Sequence, residues 1–185
     1  MDANGVPIED RKEILQYRAE ARYLRALGYW HALDFFRNVP LITTISGDFP
    51  EQSDAAGIFS FIASELNEIE PLMADARSNE YGRADRAALW MLRAKLNLNA
   101  EVYIGEDRYS EVIADCNNII AAGYTIEPEY KDLFNADNHN SDELIFTLPA
   151  DGVNSQSWGS TTFLVHGAVG GELMDPAEYG IDGGW

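Results

Sequence analysis

Cysteine is almost missing: Cys116 is the single one in 185 residues. One thiol excludes an internal disulfide framework and any multi-cysteine metal site. Cys116 falls in an apolar helical line and reads as a small core residue, with no sequence neighbour that would lower its pKa. No run of about eighteen apolar residues occurs, so nothing reads as a membrane-spanning helix. Basic residues are few, 13 Lys and Arg against 31 Asp and Glu, for a formal net charge of −18. The average surface would repel a nucleic acid, and no nucleic-acid partner is expected. The acidic balance suits solubility, a neutral ligand or a cationic one equally. Catalytic signatures are absent as well: there is no HExxH, G-x-S-x-G, Walker or dinucleotide glycine pattern. His31, His139 and His166 stand in unrelated contexts, and the many carboxylates single out no acid–base pair. We expect no enzyme activity and no cofactor.

What is present is enough apolar residue, 46%, to bury a core in one domain or in a piece of a larger one. The pattern is helical. A first helix is predicted from about Glu9 to Phe36, ending at the Asn38-Val39-Pro40 corner because Pro40 cannot continue it. Its deepest apolar line is predicted as Ile14, Tyr17, Ala21, Leu24, Gly28, His31 and Phe35, with Gly28 admitting a close backbone and His31 a packed histidine. The connection 37–52 is long, with LITTI as a short extended piece. A second helix follows, capped by Ser53 or Asp54, with the line Ala55, Phe59, Ile62, Leu66, Ile69 and Met73 and shortened by Pro71. A third spans about Arg83 to Ile104 with two apolar lines, and a fourth carries Tyr109, Val112, Cys116 and Ile119 and stops at Gly123. These two form an antiparallel hairpin. Trp30 and Trp90, within helices, read as core.

The character changes after Tyr124. A short helix near Glu129–Phe134, a polar run NADNHNSDE and an alternating segment ELIFTLPA, read as a strand, precede a stretch from Asp151 onward. That stretch has no Lys or Arg and holds 8 of the 15 glycines and two of the four tryptophans. It is either an ordered functional surface or the frayed end of a truncated domain. In the polar run, Asp137, Asn138, Asn140, Asp142 and Glu143 could ligate calcium, but the glycine and spacing of an EF-hand are missing, and a turn is the favoured reading.

The strings YRAEARYLRALGYWHALDFFRNVPLIT and, downstream, YGRADRAALWMLRAKLNLNAEVY resemble two segments of the SusD/RagB family, in order and well spaced over roughly residues 11–150. The family consists of glycan-binding surface lipoproteins of Bacteroidetes-type bacteria that sit on a TonB-dependent outer-membrane transporter. The resemblance implies a non-catalytic helical scaffold of tetratricopeptide type carrying loop-rich ligand-binding material. A Leu-Arg-Ala echo at 24–26 and 92–94 is 68 residues apart, twice the tetratricopeptide period, and agrees with that arrangement without proving it. The resemblance also implies a secretion signal and a lipid-accepting cysteine that MDANGVPIED does not show, and the family is longer. An internal fragment, with its outer-membrane anchor outside this sequence, is therefore expected.

The expected fold is mostly α, with tetratricopeptide-like antiparallel hairpins over 1–123 and an irregular region with a short strand over 124–185, one SusD-like domain in total. For glycan binding the chemistry asks for aromatic faces beside amides and carboxylates. The last loops supply Trp158, Phe163, Tyr179 and Trp185 among Asn154, Gln156, His166, Asp175 and Asp182. Trp158 and Trp185 lead this set, followed by Tyr179, His166 and the corner residue Asn38, whose side chain either meets ligand or caps a helix. The aromatics could equally pin glycine-rich loops to the helices. The competing class is a helical-repeat module gripping a peptide or partner protein.

Overall fold

The computed structural model describes residues 8–45, 49–134 and 137–149, together with Asp175 and Ala177. The chain divides into two compact units, Met1–Thr147 and Leu148–Trp185. The first is built of helices α1 (Ile8–Phe36), α2 (Ala55–Ile69), α3 (Arg86–Leu98), α4 (Ala100–Ile104) and α5 (Tyr109–Ala121). A two-stranded antiparallel ladder, β1 (Val39–Pro40) with β2 (Gln52–Ser53), closes the α1–α2 connection in the register Val39↔Ser53. Helix α1 packs on α2 and α3 on α5, so the architecture is a pair of antiparallel helical hairpins.

Local chemistry explains the helix ends. Asp54 caps α2 by accepting from Gly57 N at 2.8 Å, and Asp85 caps α3 by accepting from Ala87 N and Ala88 N at 2.9 and 3.1 Å. Pro71 turns the chain after α2 into a single 3-10 turn, Glu70–Leu72. Gly123 leaves α5 at φ +87°, a left-handed conformation that a side chain would strain. The third predicted helix is two: Asn99, at φ −99° and ψ 13°, interrupts it, and α4 begins afresh. The core is the seam of α1, α2 and α3, with Leu33, Ile58, Ile62, Leu66, Ile69, Leu89 and Leu96 fully buried. Of the third helix's two lines, Leu89, Leu92, Leu96, Ala100 and Tyr103 are buried throughout, while the other opens to solvent at Leu98 and Val102.

Helix α1 lies the other way round from its predicted orientation. Its buried stripe is Ala19, Tyr23, Ala26 and Leu33, with Trp30 partly covered. Tyr17, Leu24, His31 and Phe35 are exposed, Phe35 by 72%. Tyr17 and Phe35 each stand nine residues from Ala26, two and a half helical turns, which puts them on the opposite face. Both lines hold small and large residues, Ala19 and Ala26 with Tyr23 and Leu33 inside, Ala21 and Gly28 with Tyr17 and Phe35 outside. Gly28 has no atom within 4 Å of where a Cβ would sit, so among the described residues no backbone approaches it.

The segment 143–149 forms no strand. Alternation gave it a face, but among the described residues no strand pairs with it. Its order comes instead from Phe146, whose ring meets Tyr23 edge-on at 5.4 Å, and from the turn before it, where Thr125 N donates to Asp142 O.

Candidate functional site

The Asn-Val-Pro corner is a fastened structure. Arg37 adopts φ +60° and its guanidinium donates to Val102 O at 2.7 Å. Asn38 Oδ1 accepts from Ala55 N at 3.1 Å, and its carbonyl accepts from Gln52 Nε2 at 2.9 Å. Asn38 therefore helps to satisfy the first turn of α2, although it remains exposed. The Tyr29 hydroxyl clamps the next residues, accepting from Ile42 N at 2.7 Å and donating to Ile42 O at 3.1 Å.

A cleft of about 200 Å³ opens between the 77–85 loop and the 139–147 segment. Arg77 organises it from a left-handed backbone position, φ +62°. Its N–H donates to Asp85 Oδ2 at 2.7 Å, and its guanidinium bonds Gly123 O at 2.6 Å, pairs with Asp142 and lies 5.1 Å above the Tyr124 ring. Burial, together with the Asp85 charge, pushes the Tyr124 phenol up to about 12 against the pull of Arg77, so it stays a neutral hydrogen-bonding group. Arg83 is held from the other side by Glu20 at 2.7 Å and stands 4.8 Å over Tyr17. Burial opposes ionisation of Glu20, yet hydrogen bonds from Arg83, Gln16 and Asn79 hold its carboxyl below the usual range. At the rim Tyr81, 57% exposed, meets the His139 ring edge-on at 6.1 Å.

The oxygen-rich run next to this cleft is spent on turn structure. Asn138 Nδ2 donates to Leu133 O and Asn140 Nδ2 to Asp137 O, Glu143 accepts from Glu127 N, and Asp142 pairs with Arg77. No three of His, Cys, Asp and Glu gather as a metal-binding group among the described residues. Asp175 is exposed and accepts from Ala177 N at 3.0 Å. Trp158, Tyr179, His166 and Trp185, with Asn154, Gln156, Phe163 and Asp182, lie outside the described residues. Tyr81, Arg77 and Tyr124 carry no local signal in the sequence, because Tyr81 meets His139, and Arg77 meets Asp142 and Tyr124, only across the fold.

Comparison with known proteins gives this geometry a setting. No family model matches the chain. Over 177 residues, 94% of its length, it is 38% identical to the starch-binding protein SusD of Bacteroides thetaiotaomicron. The chain is SusD-like. It spans about a third of that relative, 32% of its length. Among solved structures, a laminarin-binding SusD-like protein superposes with a TM-score of 0.72 at 25% identity, over 85% of this chain and 35% of the other. A surface glycan-binding protein A of Bacteroides thetaiotaomicron, in complex with laminarihexaose, gives 0.61 at 27% identity, over 77% and 29%.

Proposed function

We propose that this SusD-like chain is part of a non-catalytic protein that holds a glycan at the outer surface of a Bacteroidetes-type cell. From there the protein passes the glycan to a TonB-dependent, SusC-like outer-membrane transporter. The observation that carries the reading is the 38% identity with a starch-binding relative over nearly the whole chain. The laminarihexaose complex of a 27% identical neighbour supports the same ligand class. In this reading residues 1–123 are the scaffold and 124–185 the ligand-binding region. Trp158 and Trp185 stack on sugar faces, Tyr179 and His166 supply hydrogen bonds and edges, and Asn38 is a peripheral contact. In this reading the protein is lipid-anchored at the outer membrane, and binding needs no cofactor.

Affinity electrophoresis in gels containing starch, laminarin or other polysaccharides tests this. Retardation by one polysaccharide, relieved in Trp158→Ala or Trp185→Ala, is expected; uniform migration in every gel would refute it. The second reading, a module that binds a helical peptide, is favoured by the exposed α1 face of Leu24, Phe35 and Phe36. It predicts peptide binding that Leu24→Glu abolishes.

A further inference from the structure

We infer that the cleft between the 77–85 loop and the 139–147 segment is a separate subsite for a single neutral sugar ring, with Tyr81 and His139 as its aromatic wall. The inference rests on the glycan reading above and adds a place and a ligand size to it. Charge is the first argument. Both guanidiniums lining the cleft are already paired, Arg77 with Asp142 and Arg83 with Glu20 and Glu80. Asp85 is buried under three backbone N–H groups, those of Arg77, Ala87 and Ala88. Two guanidiniums thus face four carboxylates, so no free positive charge is left for a phosphate or a carboxylate, and an anion would have to break existing pairs. No three of His, Cys, Asp and Glu gather here to hold a metal ion among the described residues.

What remains is two-sided in its hydrogen bonding. The Tyr81 hydroxyl, the His139 ring nitrogens and the Asn140 side-chain oxygen make no hydrogen bond with other described residues, and all three residues line the cleft. A hydroxyl, an imidazole and an amide oxygen together donate and accept, as a ring of sugar hydroxyls requires. The exposed Tyr81 ring and the His139 edge offer the apolar counterpart for C–H faces. Size is the last argument. About 200 Å³ lies under the roughly 300–1,000 Å³ of pockets for drug-sized ligands. One ring fits and a chain does not, so the subsite would hold the end or a branch of a glycan whose main contacts lie elsewhere.

The test is saturation-transfer NMR and titration of the chain with maltotriose and laminaritriose, using inorganic phosphate as the anion control. Variants Tyr81→Ala, Tyr81→Phe and His139→Gln, and the pair Trp158→Ala/Trp185→Ala, are compared with wild type, with circular dichroism to confirm folding. We expect two binding events for one trisaccharide: one that the tryptophan pair removes, and a separate millimolar one that falls at least tenfold in Tyr81→Ala, is retained in Tyr81→Phe and weakens in His139→Gln. Wild-type affinity in Tyr81→Ala with loss in the tryptophan pair overturns the subsite and leaves the glycan reading intact. Binding to neither sugar overturns the subsite and contradicts the reading it rests on. Phosphate binding that depends on Arg77 would replace the neutral ligand with an anion.

Discussion

Arg93 and Asp115 join α3 to α5 through two parallel bonds, Nε to Oδ2 at 2.9 Å and a terminal guanidinium nitrogen to Oδ1 at 2.7 Å. Asp115 is only 3% exposed. The remaining guanidinium nitrogen reaches Glu70 at 2.6 Å, which ties in the turn after α2, while Glu70 also accepts from Trp90 Nε1 at 2.8 Å. One side chain thus fastens three elements. Removing Asp115 leaves the guanidinium with Glu70 as its remaining carboxylate partner, so the loss should be smaller than for a fully broken buried pair, about 1.5–3 kcal/mol for the charged hydrogen bonds removed. Asp115→Ala should lower unfolding free energy by an amount in that range, measured by urea denaturation. Asp115→Asn, which keeps one acceptor, should cost less.

Acid should weaken the same framework. Burial raises the carboxyls of Glu65 and Glu70, but Arg22 and Arg25 on the first, and Arg93 and Trp90 on the second, hold both below 4.5, as the Arg83 contacts hold Glu20. A carboxylate whose folded pKa lies below its unfolded one stabilises the fold above the unfolded value. That contribution fades as pH falls below about 4.5 through the lowered folded values. Thermal midpoints should be flat near neutrality and fall below pH 4.5, with a smaller fall in Glu65→Gln once its lower starting midpoint is subtracted.

The two faces of α1 make opposite predictions. Leu24 is half exposed, so Leu24→Gln should change stability by no more than about 0.5 kcal/mol. Ala26 is fully buried, and Ala26→Leu should overpack the α1–α2 seam and cost about 1–3 kcal/mol. Chemical denaturation of the two variants decides which face is inside.

Asn38→Ala removes the acceptor for Ala55 N and should cost about 0.5–2 kcal/mol, the usual range for losing a helix-capping side chain. If Asn38 also touches glycan, Asn38→Asp, which retains the acceptor, should preserve stability while altering affinity. Denaturation and titration of the pair separate the two roles.

What could be read from sequence was what is local. The Asp54 cap, the stop at Gly123, the short turn at Tyr130–Phe134 and the α2 line from Ala55 to Met73 each depend on a few adjacent residues. The orientation of α1 was not local. The helix carries two apolar stripes, and which one is buried depends on what the other helices place beside it, which α1 alone does not encode. The strand at 143–149 failed likewise, since alternation describes one strand and a ladder needs two. The break at Asn99 separates two segments of equally good helical pattern. The cleft joins Arg77 to Asp142 and Tyr81 to His139, contacts between distant loops that leave no periodic trace. In the sequence Asp142 reads only as a possible calcium ligand, and His139 stands in an isolated context.

The central claim is glycan capture, and isothermal titration of this chain with starch-type and laminarin-type oligosaccharides, repeated with Trp158→Ala and Trp185→Ala, tests it most directly. The account predicts saturable heat with at least one of them, reduced tenfold or more by one of the two substitutions while helical circular dichroism is unchanged. Absence of heat with every glycan, alongside tight binding of an amphipathic peptide to the α1 face, would contradict it.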